Sequence, residues 1–208
     1  MITEYPLNLF ENVPPVILKY IEAHYPLTDT SVMIYDAYKL NIMLSDGLAA
    51  VMNDRNDVYN TFSGDLLFFA PTEIHHGRIL RQGTHKYMEF LIPVEYFPDD
   101  SAFHALFQGT ENLLCPPIQE RAAILSLAEQ LTEGIQCSAH TSDIDLWSEL
   151  LALLKICKDL SLQKKNLNQN MPATLQNAIS FIRKEYAEIT KLSEIERIPL
   201  TERNSKNE

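Results

Sequence analysis

Apolar and polar residues roughly alternate from Val32 through Ile34, Leu40, Ile42 and Leu44, the period of a strand with two unlike faces. Ser45-Asp46-Gly47 is a turn signal and Leu48 to Met52 a second apolar run, so the pattern predicts a hairpin. The polar stretch Asn53 to Asp57 makes another turn. Val58, Tyr59 and Phe62 then lead into Gly64-Asp65 and a buried strand, Leu66 to Phe69, closed by Pro71. Further strands are predicted at Arg78 to Leu80 and Tyr87 to Ile92. Short strands separated by Gly, Asp and Pro, with no helical period between them, indicate an antiparallel barrel or sandwich.

Beyond about Pro98 the period becomes helical. Pro116-Pro117 suits a first helical turn, Ile118, Ala122, Leu125 and Ala128 share one face with Ile124, Leu127 and Leu131 beside it, and Gly134 is expected to end the run. A second helix starts at Ser142, with Asp145 completing a capping box, and is expected to reach about Leu160. Leu146, Leu150, Leu153, Cys157 and Leu160 form one stripe on it, and Ile144, Trp147, Leu151 and Leu154 another. Two apolar stripes need two partners: either both lie in the domain core, or one serves a second subunit. Residues 161–170 (SLQKKNLNQN) read as a polar linker, and Leu175, Ile179, Ile182 and Tyr186 mark a further amphipathic helix.

Composition narrows the class. The 208 residues, 46% hydrophobic and 22% charged, suit one globular domain or one large and one small, which excludes collagenous and fully disordered chains. The three cysteines are scattered, which favours free thiols in a reducing compartment. The opening MITEYPLNLFENVPP lacks the basic and apolar regions of a secretory signal, and the expected localisation is cytoplasmic, with no membrane partner. A formal charge of −11 opposes general attraction to nucleic acid. Nucleophile elbows, phosphate-binding loops and dinucleotide-binding glycine motifs are all missing, so the chain is not expected to be an enzyme or to carry a cofactor.

The most distinctive segment runs from Gly64-Asp65 through Leu66-Leu67-Phe68-Phe69-Ala70-Pro71-Thr72-Glu73-Ile74 to His75-His76. This Gly-Asp turn, apolar strand and Pro-x-Glu-x-His-His corner resemble the sensor domain of AraC/XylS-type transcription regulators, over residues 31–97 at motif level. The resemblance implies an α+β chain. Its parts would be an N-terminal arm (1–30), a cupin-like jelly-roll barrel (31–98), dimerisation helices (99–160), a linker (161–170), and the first helices of a DNA-binding domain (171–208). It also implies a small-molecule effector in the barrel and a homodimer. His75 falls on the motif and is the first ligand-binding candidate, with His76, Tyr87 and Glu89 behind it. Tyr87 and Glu89 should share a strand face, although the face with Lys86, Met88 and Phe90 is the alternative. Glu89 inside the barrel would favour a cationic or hydroxyl-rich ligand over an anionic one. For dimerisation the candidates are Leu146, Leu150, Leu153, Cys157 and Leu160.

A metal-dependent cupin enzyme is the competing reading. It would need several imidazoles converging on one ion. No histidine lies between His24 and His75, and adjacent strand residues point to opposite faces, so His75-His76 cannot stand in for a His-x-His. His85 or His104 would have to join His75, and no metal site is expected. A plain interaction module with a filled barrel is the third reading. Residues 172–195 look like the opening of the family's DNA-binding domain. The match stops at Glu196, where the family usually has a small residue, and no recognition helix follows. The expectation is a chain truncated within that domain, by a shortened gene or as a natural short form. Such a chain would not bind DNA specifically alone and would act through a heterodimer with a full-length relative.

Overall fold

A computed structural model describes residues 1–53, 57–97, 112–137 and 142–170. Among the described residues nine strands form two antiparallel sheets. These are β1 (Ile2–Leu7), β2 (Val16–Tyr25), β3 (Tyr38–Met43), β4 (Leu48–Met52), β5 (Asp57–Thr61), β6 (Leu66–Phe69), β7 (His75–Ile79), β8 (Gly83–Ile92) and β9 (Leu113–Leu114). The larger sheet has the order β1-β2-β8-β3-β6-β9 and the smaller β5-β4-β7. Two helices follow, α1 (Ile118–Gln136) and α2 (Asp143–Asn170). The described residues are therefore mainly antiparallel sheet with two helices, and their two facing sheets agree with the expected jelly-roll arrangement without closing into one continuous barrel. The predicted start of a helix-turn-helix in residues 171–208 lies outside the described residues, as do residues 98–111.

Each face of the larger sheet has its own apolar layer. Leu18, Leu40, Phe68, Met88 and Phe90 pack in one cluster with Ile124, Ala128 and Leu131 of α1 and with Leu146, Leu150 and Leu153 of α2. Met43, Leu67 and Phe69, on the opposite face, pack with Leu48, Ala50, Met52 and Ile79 of the smaller sheet. All six residues of β3 are consequently buried, including Lys39 and Asn41.

Several expectations are corrected here. The predicted hairpin across Ser45-Asp46-Gly47 does not form. β3 pairs with β6 and β8, whereas β4 pairs with β5 and β7, so the turn carries the chain from one sheet to the other. Gly47, at φ 92°, makes that corner. The N-terminal arm (1–30) is instead mostly sheet: β2 pairs with both β1 and β8, because Val16, Leu18 and Tyr20 supply a period-2 apolar face. In α1 the buried stripe is Ile124, Ala128, Leu131 and Ile135, while Ile118 is exposed, and the helix passes through Gly134 to Gln136. The capping box forms as read, with the Asp145 N–H donating to Ser142 Oγ at 3.3 Å and the Ser142 N–H to Asp145 Oδ2 at 3.3 Å. α2 runs on to Asn170 through the stretch read as a linker. Leu, Gln and Lys are good helix formers, and a nucleated helix extends at little cost where no Gly or Pro intervenes.

The stripe assigned to dimerisation is also corrected. Leu146, Leu150, Leu153, Cys157 and Leu160 all lie in the chain's own core, at 4% exposure or less, against the larger sheet and α1. Trp147 and Leu154 of the second stripe are buried too, which leaves Ile144 and Leu151 exposed. Among the described residues no helix is long and apolar enough to cross a membrane.

Candidate functional site

The Gly64-Asp65 turn, just before β6, is held to α1. Gly64 has φ 84°, and a Cβ there would lie 2.3 Å from Arg121 Cγ, so both backbone and space require glycine. Asp65 Oδ2 accepts the Phe62 N–H at 2.9 Å and Oδ1 pairs with the Arg121 guanidinium at 2.9 Å. Arg121 also donates to the Ser63 carbonyl at 2.6 Å. The first part of the motif is thus architectural.

Its second part sets the histidine. Glu73 Oε2 accepts the Ala70 N–H at 3.0 Å, which fixes the corner, and the Glu73 carbonyl lies 3.0 Å from His75 Nδ1. A carbonyl only accepts, so Nδ1 carries the hydrogen and Nε2 is left as an acceptor. Lys39 Nζ donates to that Nε2 at 3.2 Å. The His75 ring is buried and stacks on Phe69 at 3.8 Å between centroids. Burial, with the Lys39 charge next, pushes its pKa down to about 4, and the ring is neutral at physiological pH.

His75 belongs to a cavity of about 280 Å³ in the wall between the two sheets. Lys39 and Asn41 of β3, Tyr87 of β8 and Tyr25 of β2 enter it from the larger sheet, and Ala50 and Ile79 from the smaller. Thr30 and Ser31 also line it, on the segment whose backbone bonds to β7 (Thr30 N–H to the Gly77 carbonyl, 2.8 Å). Lys39, 1% exposed, lies 2.9 Å from Glu89 Oε2, and its ammonium is 4.8 Å from the Tyr35 ring centroid and 5.4 Å from that of Phe69. Burial lowers the Lys39 pKa and the adjacent Glu89 carboxylate opposes the shift. Burial likewise raises that of Tyr87, with Tyr25 adding to the shift, and the Tyr87 phenol stays protonated.

The four ligand-binding candidates therefore divide. His75 and Tyr87 line the cavity, and Glu89, on the same strand face as Tyr87, is not among the lining residues and is paired to Lys39. His76 contributes to the wall, but its ring is engaged elsewhere, with Nδ1 3.0 Å from Asn53 Oδ1 and Nε2 3.4 Å from Asp29 Oδ2. Lys39 and Asn41 were missed. They are the polar positions of an alternating strand, which suggests solvent, but β3 lies between β8 and β6 with the smaller sheet over that face. His85 Nδ1 and Nε2 lie 3.0 and 2.7 Å from the Asp46 and Arg81 carbonyls, and His104 is outside the described residues. Among the described residues no three His, Cys, Asp or Glu side chains are arranged to hold a metal ion.

The neutral, buried His75 makes stability depend on pH. Its folded pKa of about 4 lies below the ordinary value of 6.5. Above pH 6.5 neither folded nor unfolded chain is protonated there. As pH falls below 6.5 the unfolded chain takes a proton that the folded one refuses, and stability drops until about pH 4. At pH 5 the expected loss is about 2 kcal/mol. Urea denaturation at pH 7 and pH 5 checks this: His75→Gln should lose about 2 kcal/mol less than the parent over that interval, and parallel losses would contradict the assignment.

No family model matches the sequence, and no curated protein does. Among solved structures, the AraC-like transcriptional activator CuxR superposes with a TM-score of 0.51 at 11% identity, covering 90% of this chain and 73% of that one. A cupin superfamily protein from Desulfitobacterium hafniense superposes at 0.33 and 14% identity, over 45% of this chain and 78% of that one. Vicilin from hazelnut (Corylus avellana) superposes at 0.35 and 18% identity over 38% of this chain, which spans 23% of the vicilin's length. At such identity the likeness to the AraC-like activator is one of fold, and in fold the two chains correspond over most of their lengths.

Proposed function

We propose that this chain is the cupin-like, ligand-sensing part of an AraC-type transcription regulator, working in the cytoplasm. The observation that carries the reading is the cavity between the sheets, largely apolar, with Lys39, Asn41, His75 and Tyr87 as its polar groups. Concave apolar sites with a few fixed polar groups are the usual form of a small-molecule site. Overlap with the fold of an AraC-like activator supports the regulatory setting. Pairing with a second copy, or with a full-length relative, belongs to the same proposal. It would use the exposed side of α2 at Ile144 and Leu151, since the neighbouring leucines are buried. With a net charge of −11, the chain alone is expected to show no competitor-resistant shift of its own upstream DNA at physiological salt.

A thermal-shift screen with a panel of small metabolites tests the sensing role. Compounds that raise the melting temperature should also move the His75 imidazole resonances, and Ala50→Leu, which fills the cavity from β4, should abolish both effects. Stabilisation that persists in Ala50→Leu, or a panel without a binder, would count against the reading.

A further inference from the structure

Two hydrogen-bond donors converge on one sulfur in the cavity wall. Residues 26–37 connect β2 to β3, and Met33 on this connection is pinned to β7 through its backbone. The Met33 N–H donates to the His75 carbonyl at 2.7 Å, and the His75 N–H to the Met33 carbonyl at 3.1 Å. The Met33 side chain lines the cavity, and the residue is half-buried. Its Sδ lies 3.7 Å from the Tyr35 hydroxyl and 3.8 Å from Lys39 Nζ. Both groups donate. Burial raises the Tyr35 pKa, with Glu89 adding to the shift, so the phenol keeps its hydrogen. Lys39 gives one N–H to Glu89 at 2.9 Å and one to His75 Nε2 at 3.2 Å, which leaves a third for the sulfur.

A thioether is a weak acceptor for such donors. A sulfoxide carries a polar oxygen, which in an ordinary core disrupts packing because it is buried without a partner. Here the partners are in place. An oxygen bonded to Sδ would stand between the sulfur and a donor now 3.7 or 3.8 Å away, at ordinary hydrogen-bond length from that donor. The adjoining cavity of about 280 Å³ has room for one more atom. Met43, Met52 and Met88, by contrast, are at most 2% exposed and lie within the two apolar clusters.

We infer that Met33 is a peroxide-sensitive modification site whose sulfoxide is held by Lys39 Nζ or the Tyr35 hydroxyl. In the step, a sulfur lone pair attacks the terminal oxygen of a hydroperoxide, the S–O bond forms and the O–O bond breaks. The sulfur gives up two electrons and the peroxide is reduced. The hydrogen on the transferred oxygen passes to the one that leaves, as water from hydrogen peroxide or as an alcohol from an organic hydroperoxide. A donor beside the sulfur helps the departing oxygen take up charge, so the same two groups favour the step as well as its product. The modification goes beyond the sensing reading and does not depend on it, since neither the site nor its test calls for a ligand.

Hydrogen peroxide treatment of the full chain, with each methionine followed by peptide mass spectrometry, tests the site. Met1, 65% exposed, is the reference for a methionine open to solvent. Met33 sulfoxide should accumulate at least as fast as Met1 sulfoxide, and well before that of Met43, Met52 or Met88. The oxidised chain should then melt about 2 to 4 °C higher, the shift of one net hydrogen bond in a domain of this size. Met33→Leu treated in parallel should show no such gain. Tyr35→Phe keeps the ring beside Lys39 and removes one donor. It should slow Met33 oxidation about threefold or more, the factor that one weak hydrogen bond in a transition state supplies, and leave the Met1 rate unchanged. Oxidation of Met33 slower than of Met1, a melting temperature that does not rise relative to treated Met33→Leu, or an unchanged Met33 rate in Tyr35→Phe overturns the proposal.

Discussion

Leu150→Glu is expected to unfold the compact unit, Met1–Leu162, while Leu151→Glu, one residue further on, leaves it folded. Leu150 is fully buried in the cluster that joins the larger sheet to both helices. Removing a buried leucine side chain costs about 2 to 5 kcal/mol. A carboxylate enclosed there without a partner adds several more. The sum, about 5 kcal/mol or more, rivals the whole stability of an ordinary domain. Leu151 is 49% exposed and its replacement should cost about 1 kcal/mol or less. Far-UV circular dichroism with urea titration reads the difference, and a cooperative transition near the parent midpoint in Leu150→Glu would refute the packing. The same pair separates core from contact: in sedimentation, the proposed dimer should dissociate in folded Ile144→Glu/Leu151→Glu.

Asp65→Ala should lower stability by about 3 to 5 kcal/mol, although Asp65 is nowhere among the cavity-lining residues. The carboxylate is 1% exposed and ties the Phe62 N–H at 2.9 Å to the Arg121 guanidinium at 2.9 Å. Its removal takes away the acceptor that holds the turn backbone at Phe62 and leaves a partly buried guanidinium with less compensation. Arg121→Ala leaves the complementary defect, an enclosed carboxylate. The double variant should therefore be clearly less destabilised than the sum of the singles. Urea midpoints for the three variants measure the coupling, and strict additivity would show that the two residues do not act as a unit. Ligand affinity in a folded Asp65 variant should stay near the parent's, because this part of the motif anchors α1 to the turn.

Local signals in the sequence carried a good deal of this. Ser142 and Asp145 sit at the start of α2 in the capping box they spell, because a cap is made within four residues. Gly64-Asp65 forms a turn for a local reason too, a positive φ followed by a side chain that accepts a nearby backbone N–H. Period-2 spacing likewise placed Tyr87 and Glu89 on one strand face. Val16, Leu18 and Tyr20 carried the same signal, and β2 was legible where an arm was expected.

Alternation states which side chains share a face, not what covers that face. Only the tertiary structure put a second sheet over Lys39 and Asn41, which turned the polar positions of β3 into the polar end of a cavity. The same holds for the leucine stripe of α2: its spacing required burial, and whether the larger sheet and α1 or a second subunit supplied the cover depended on residues outside the helix. Ser45-Asp46-Gly47 fitted a turn from sequence, but whether its strands pair or part is decided by β8 and β7, which take the pairing partners that a hairpin would have used. Residue types and local spacing thus determined the elements, their faces and the His75 corner. Layer assignment, strand pairing and the charge balance around Lys39 were decided by contacts distant in the chain, which no local period encodes.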